Sequence, residues 1–383
     1  NSDGESTTSR TVTLNNSVSG NPTEYMASEF SDFSDASWLA YSMMPSFTLS
    51  EGNGTKTVYL KVRNAVGESS VLSDTIILNE LCDTIAVTAN SGSVIYTPPL
   101  ADYQYRYGPS IILNGNTVDM WACAPDPSPA WDRIEHRRGT ISTDGTIQWV
   151  TNWASALEST PNSRDKYSTC DPGVFSANGY YYIGYTSTDQ QVGSNDVFVA
   201  RGDGLPDGSP SVTCAKWNGS GWGGMPQPII EYNGPSWGIG QPSFVVKDNV
   251  LYIYYTDNGT KVATADITNV NWPLTLDHSA APILINERDQ LILGGKPGPF
   301  DVKYIGDLAR FIGVGVSTEF NPASNVFVYE SLDGLNFTPV ATSRDYWTPS
   351  LIQDRAHNIG LSGDGQGHMQ LNAINFIAYG YGR

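Results

Sequence analysis

A proline between small or polar residues recurs along this chain, each time opening an apolar run. The copies are Gly108-Pro109-Ser110-Ile111, Asp171-Pro172-Gly173-Val174, Gln241-Pro242-Ser243-Phe244 and Thr348-Pro349-Ser350-Leu351. A degenerate copy fits at Asp301-Val302-Lys303-Tyr304. They stand roughly 50 to 70 residues apart, the length of a small antiparallel sheet repeated around an axis. Behind the motifs come hairpin turns such as Asn178-Gly179 and Asp248-Asn249, set between alternating apolar runs. The expected architecture is a five-bladed β-propeller over residues 83–383, with the strand at Ile85-Ala86-Val87 closing the last blade. In such a ring the innermost strands all start at the axis. Gly108, Asp171, Gln241, Asp301 and Thr348 should therefore face one pocket.

Composition agrees with an all-β chain. Charged residues make up only 16%, against 38 glycines, 21 tyrosines and 10 tryptophans, and no helical apolar period is sustained. Residues 1–82 differ in texture, with alternating strands such as Thr57-Val58-Tyr59-Leu60-Lys61-Val62 and Asp74-Thr75-Ile76-Ile77-Leu78. They are expected to form an immunoglobulin- or fibronectin-like β-sandwich. This segment resembles accessory sandwiches attached to secreted bacterial polysaccharide enzymes, and no chemistry is expected in it.

The chain carries 21 basic and 39 acidic side chains, a net charge of −18. Such a surface repels nucleic acid and anionic membranes and suits a neutral or cationic ligand. No apolar run approaches the ~20 residues of a membrane span. The polar opening segment Asn1–Arg10 reads as a trimmed mature form, and a soluble, secreted monomer is expected. Cys82, Cys123, Cys170 and Cys214 show no zinc spacing. One disulfide in an exported protein and free buried thiols both remain open.

The Asp171-Pro172 start running into Tyr180-Tyr181-Tyr182-Ile183-Gly184-Tyr185-Thr186-Ser187 resembles the glycosidase superfamily of family 43 arabinanases and xylosidases and family 32 invertases. The resemblance covers roughly residues 85–383. It implies hydrolysis of a glycosidic bond in a poly- or oligosaccharide by carboxylates on the axis. Of the three positions the family fills with acids, Asp171 survives, while the others hold Gly108 and Gln241. The run Trp131-Asp132-Arg133-Ile134-Glu135-His136-Arg137-Arg138 also resembles five-bladed deacetylases acting on the N-acetylgalactosamine of blood group A. There a functional Glu stands as Glu135 does before the Asp144-Gly145 turn, and a functional Asp follows a Cys, as Asp171 follows Cys170. The histidines of that family are replaced here by Ser168 and Pro299.

Glu135 and Asp171 are thus the expected catalytic pair, one an acid and the other a nucleophile or base. Against this, Glu135 could instead pair with Arg133, Arg137 or Arg106 and brace the blade. Arg106, Tyr107, Gln241, Asp301, Tyr346, Trp347 and Trp237 are expected to bind substrate around the pocket. Trp121, Trp131, Trp237 and Trp347 offer faces for pyranose rings, each to be weighed against a place in the core. His136, His278, His357 and His368 lack metal spacing and read as structural. No cofactor is required, with a divalent cation on the axis left open. Arg201-Gly202-Asp203 reads as a turn. The alternatives to a glycosidase are a metal-assisted glycan deacetylase or esterase and a non-catalytic glycan-binding propeller.

Overall fold

The computed structural model describes residues 6–7, 9–50, 54–78, 105–126, 130–190, 193–203, 214–235, 237–257, 259–282, 284–285, 300–316, 326–340, 356–370 and 374–381. The chain divides into two compact units, Asn1–Ile85 and Ala86–Arg383. The first holds β1 (Ser6–Thr7), β2 (Thr11–Thr13), β3 (Glu24–Ser28), β4 (Leu39–Ala40), β5 (Ser46–Thr48), β6 (Gly54–Asn64), β7 (Gly67–Glu68) and β8 (Leu72–Leu78). One sheet runs β1-β8-β6-β3-β4 with β7 beside β6, and a second pairs β2 with β5. Val12, Leu49, Val58 and Leu78 form the unit's buried cluster, drawn from both sheets. The alternation of β6 puts Val58 and Val62 inward, the period-2 signature of a half-buried strand.

The second unit is built of radially repeated sheets. Blade one contains β9 (Tyr107–Asn114), β10 (Thr117–Pro125), β11 (Asp132–Ile141), β12 (Ile147–Trp149) and β13 (Ala154–Leu157). Blade two runs β14 (Cys170–Ala177), β15 (Tyr180–Ser187), β16 (Asp196–Asp203), β17 (Ala215–Lys216). Blade three runs β18 (Gly240–Lys247), β19 (Val250–Thr256), β20 (Thr260–Asp266), β21 (Asp277–Pro282). Blade four comprises β22 (Leu284–Ile285), β23 (Phe300–Ile305), β24 (Arg310–Val316), β25 (Val326–Ser331) and β26 (Asn336–Pro339). The last blade pairs β27 (Ala356–Leu361) with β29 (Ile377–Tyr381), while β28 (His368–Met369) joins the edge of β23 opposite β24.

The inner strands β9, β14, β18, β23 and β27 each pack against the next, and β27 packs back on β9, closing the ring. Apolar residues of neighbouring blades fill the spaces between them. Val174, Ile183 and Phe198 of blade two meet Ile112, Trp121 and Ile134 of blade one, and Phe175 stacks on Phe244 of blade three. The fifth inner strand is described from Ala356; the Thr348 motif, Tyr346, Trp347 and the closing strand at Ile85 lie outside the described residues. Arg201-Gly202-Asp203 is also not a turn. All three residues pair within β16 against Tyr180–Tyr182, and the Arg201 guanidinium lies over the Tyr180 and Trp222 rings.

The small residue after each proline has a packing reason. The Ser110 hydroxyl accepts the Val174 N–H at 2.9 Å, joining blade one to blade two. The Ser243 hydroxyl accepts the Val302 N–H at 3.0 Å, joining blade three to blade four. At Gly173 a Cβ would run into the Pro242 carbonyl, and at Gly360 into that of Pro109, so these inner strands approach too closely for any side chain.

Candidate active site

The residue ahead of each proline sits in the left-handed region: Gly108 at φ 59°, Asp171 at 50° and Gln241 at 58°. At each the ladder slips by one residue. Gly108-Pro109, Asp171-Pro172 and Gln241-Pro242 stand opposite the single residues Ala122, Tyr185 and Tyr255. These are β-bulges, which bend a strand and re-aim a side chain. For Asp and Gln the conformation costs on the order of 1 kcal/mol or more, and such strain concentrates at functional positions. Asp301 pairs regularly with Val314 and has neither bulge nor proline, so the fourth copy positions its side chain differently.

Gly108, Asp171, Gln241 and Asp301 line one axial cavity, together with Ser110, Ser243 and Lys303. Its volume is about 30 Å³. That is room for a water or two and far below the ~300 Å³ of small-ligand pockets. Gln241 is held by two threonines: its N–H donates to Thr186 Oγ1 at 2.8 Å, and its Oε1 accepts from Thr256 Oγ1 at 2.7 Å. Asp171 is only 6% exposed. Its neighbour Cys170 is bonded to Cys123, tying β14 to β10 beneath the axis.

Asp301 is fully engaged. Oδ1 accepts from Ser243 Oγ at 2.5 Å and from Lys303 Nζ at 2.7 Å, and Oδ2 accepts from the Leu361 N–H at 2.6 Å. It therefore pins blades three, four and five together. Lys303, read in the sequence only as the small-residue slot of a degenerate motif, supplies an ammonium at the axis. That tethered positive charge opposes a divalent cation at Asp301. The remaining cluster of metal-ligand types, Cys123, Asp132 and Cys170, is no better suited, since its two sulfurs are bonded to each other. Asp132 accepts instead from Tyr105 Oη and, at 3.1 Å, from Ser168 Oγ, where the deacetylase pattern has a histidine.

Glu135 lies 3% exposed on β11, and it is absent from the axial cavity's lining. Oε2 takes Arg106 Nη2, and Oε1 takes Arg133 Nε at 3.0 Å and Nη2 at 2.5 Å. Both oxygens are occupied by guanidinium N–H groups, the bracing arrangement that stood as the alternative to a catalytic role. Arg106 is likewise a bracing group, its guanidinium bonded to Glu135 and to the Tyr105 carbonyl. Tyr107 stacks on Tyr105 and donates its hydroxyl to Cys170 Sγ at 2.9 Å. The alternation of β11 sends His136 to the other face, where it and Arg138 both bond Asp119. Burial opposes ionisation of Asp119, but these two partners outweigh it and lower its pKa.

Of the tryptophans, Trp121 is core and Trp131 stacks on Tyr167. Trp237 is 46% exposed, its carbonyl fixed by the Asn195 N–H at 2.9 Å. Cys214 is the free thiol among the described residues, and burial raises its pKa. No helix among the described residues is long and apolar enough to cross a membrane.

No family model and no curated protein matches the chain. Among solved structures it is similar to Zg3597, a family 117 glycoside hydrolase of the marine bacterium Zobellia galactanivorans, at 16% identity and TM-score 0.44, over 72% of this chain and 84% of that one. It is also similar to the catalytic domain of a Coprinopsis cinerea GH62 alpha-L-arabinofuranosidase, at 10% identity and TM-score 0.48, over 71% and 84%. A third is the GH43_1 enzyme from Xanthomonas citri complexed with xylotriose, at 12% identity and TM-score 0.45, over 70% and 82%. These neighbours belong to the five-bladed β-propeller glycoside hydrolase superfamily that the proline motifs resemble.

Proposed function

We propose that the protein is a secreted glycoside hydrolase in which Asp171 is the acting carboxylate at the mouth of the axis. The observation that carries this is the backbone of Asp171. A pre-proline residue held in a left-handed bulge is costly, and the bulge aims a carboxylate at the point where the inner strands converge. Glu135 supports the site from behind by fixing Arg106, next to Tyr107 and its bond to Cys170. The Cys123–Cys170 disulfide suits an exported protein. A metal-assisted deacetylase is disfavoured by Ser168 and Pro299, which stand where that family has histidines, and by the pairing of Asp301 with Lys303. A glycan-binding propeller without turnover is the second reading, favoured by Gln241 in an acid's place and by the engagement of Glu135 and Asp301.

Incubation with a panel of polysaccharides separates the three. New reducing ends that vanish in Asp171→Asn support the hydrolase. Released acetate identifies a deacetylase. Binding with neither product identifies the glycan-binding module.

A further inference from the structure

A second cavity opens beside the axis, between the segment 228–239 and the end of β19. It measures about 600 Å³, within the usual size range of ligand pockets, and is lined by Ile229, Ile230, Tyr232, Ile239, Tyr255 and Asp257, with His278 at its rim. Tyr255, near the end of β19, and Asp257, just beyond it, both line the cavity. The residue between them, Thr256, turns the other way and holds Gln241. The cavity is therefore coupled to the axis through one strand.

Tyr255 has a counterpart that shows what it lacks. Tyr185 stands opposite the Asp171-Pro172 bulge as Tyr255 stands opposite Gln241-Pro242. The Tyr185 hydroxyl donates to buried Asp165 at 3.0 Å, which Lys216 also binds. The Tyr255 ring is buried to the same end, 4% exposed within the core of blades two and three. Its hydroxyl has no partner among the described residues. Burial and then Asp257 push its pKa up to about 12, so near neutral pH it remains an O–H group able to donate. Asp257 spends one oxygen on Lys261 Nζ at 2.6 Å, and the other has no bond among the described residues. Glu231 is matched by Arg164 at 2.9 Å. Arg164 also serves Asp196 at 2.9 Å and Asp189 at 3.5 Å, so the surplus charge beside the cavity is negative and the lining disfavours an anionic ligand.

We infer that this cleft is a saccharide-binding site, taking a neutral sugar whose hydroxyls bond Tyr255 and Asp257 and whose apolar face rests on Ile229, Ile230 and Ile239. The inference rests on the reading of the protein as carbohydrate-active and adds a saccharide-binding place off the axis, apart from the acting carboxylate at Asp171. Titration calorimetry of the full chain tests it, with neutral oligosaccharides of glucose, xylose, arabinose, galactose and N-acetylgalactosamine as probes at millimolar concentration. The expected result is binding by at least one probe, weakened about 3- to 10-fold in Tyr255→Phe, the worth of one hydrogen bond. Asp257→Asn should weaken it at least as much. The melting temperature of Tyr255→Phe should hold, since that hydroxyl bonds none of the described residues. Turnover lost in Asp171→Asn together with wild-type affinity in Tyr255→Phe would leave the hydrolase standing and overturn the cleft. Weakened binding in Tyr255→Phe by a chain that turns nothing over would do the reverse. No binding by any probe also overturns the proposal.

Discussion

The Lys303 ammonium lies 2.7 Å from Asp301 Oδ1, and both side chains are almost wholly enclosed at the axis. An ion pair of this kind is a weak source of net stability, but removing one partner strands the other without water. Lys303→Met should therefore lower unfolding stability by about 3 kcal/mol in urea titration. The double change Lys303→Met with Asp301→Asn should recover a substantial part. Equal losses in the single and double variants would show that the two groups do not act as a pair.

The same ammonium bears on metal dependence. A chelator should leave turnover and melting temperature unchanged, because Asp301 already has its counter-charge in Lys303. Activity lost to a chelator and restored by a divalent metal would move the deacetylase reading to first place.

Glu135 and Asp171 should respond in opposite ways to removal of charge. Glu135→Gln leaves two guanidinium groups facing a neutral amide and should cost about 3 kcal/mol of stability. Asp171→Asn keeps a side chain that tolerates the left-handed backbone, so the fold should hold while turnover falls at least ~100-fold. Thermal melts beside reducing-end assays on the two variants decide between brace and reagent.

Reduction of the Cys123–Cys170 bridge, which closes a separation of 47 residues, should lower stability by about 4 kcal/mol on the chain-entropy model. Unfolding curves with and without reductant measure it. An unchanged midpoint after verified reduction would show that packing alone holds blade one to blade two.

Acid should expose the turn at Asp333. Partial burial raises its pKa, but the N–H groups of Asn336 and Leu335 and the side chains of Asn336 and Ser331 outweigh that and bring it down to about 2. A carboxyl lowered on folding stabilises fully above its ordinary value of 3.8, and the contribution disappears as pH falls through about 2. The stability gap between wild type and Asp333→Ala should narrow across that window. A gap independent of pH would mean the carboxylate's charge does not matter.

The ring could be read from the sequence because its motif is local. A proline, a small residue and an apolar run lie within four positions, and the physical reasons for each, a bulge, a tight approach and a strand, act over the same span. The partners of Glu135 could not be read so directly. Arg106 is distant in sequence, and its choice over Arg137 depends on how β9 lies against β11; Arg137 instead donates to the Thr151 carbonyl and covers Trp149. Lys303 stayed hidden because the motif there is degenerate and its axial role comes from Asp301, two residues away. The cleft at Tyr255 left no trace in spacing, since one wall is an irregular segment. Only the pairing of Tyr185 with Asp165, absent at Tyr255, makes the unused hydroxyl visible.

The bulges at Gly108, Asp171 and Gln241 share one backbone geometry but carry a hydrogen, an acid and an amide. The main chain and the proline that follows hold that shape, so the side chain is exchangeable in a way that core residues are not. The axis behaves as a set of interchangeable sockets: a single substitution such as Gln241→Glu would install a second carboxylate in register with Asp171 without rebuilding a blade. A ring of this kind can gain, lose or alter a reaction one residue at a time, while the joints between its blades stay fixed.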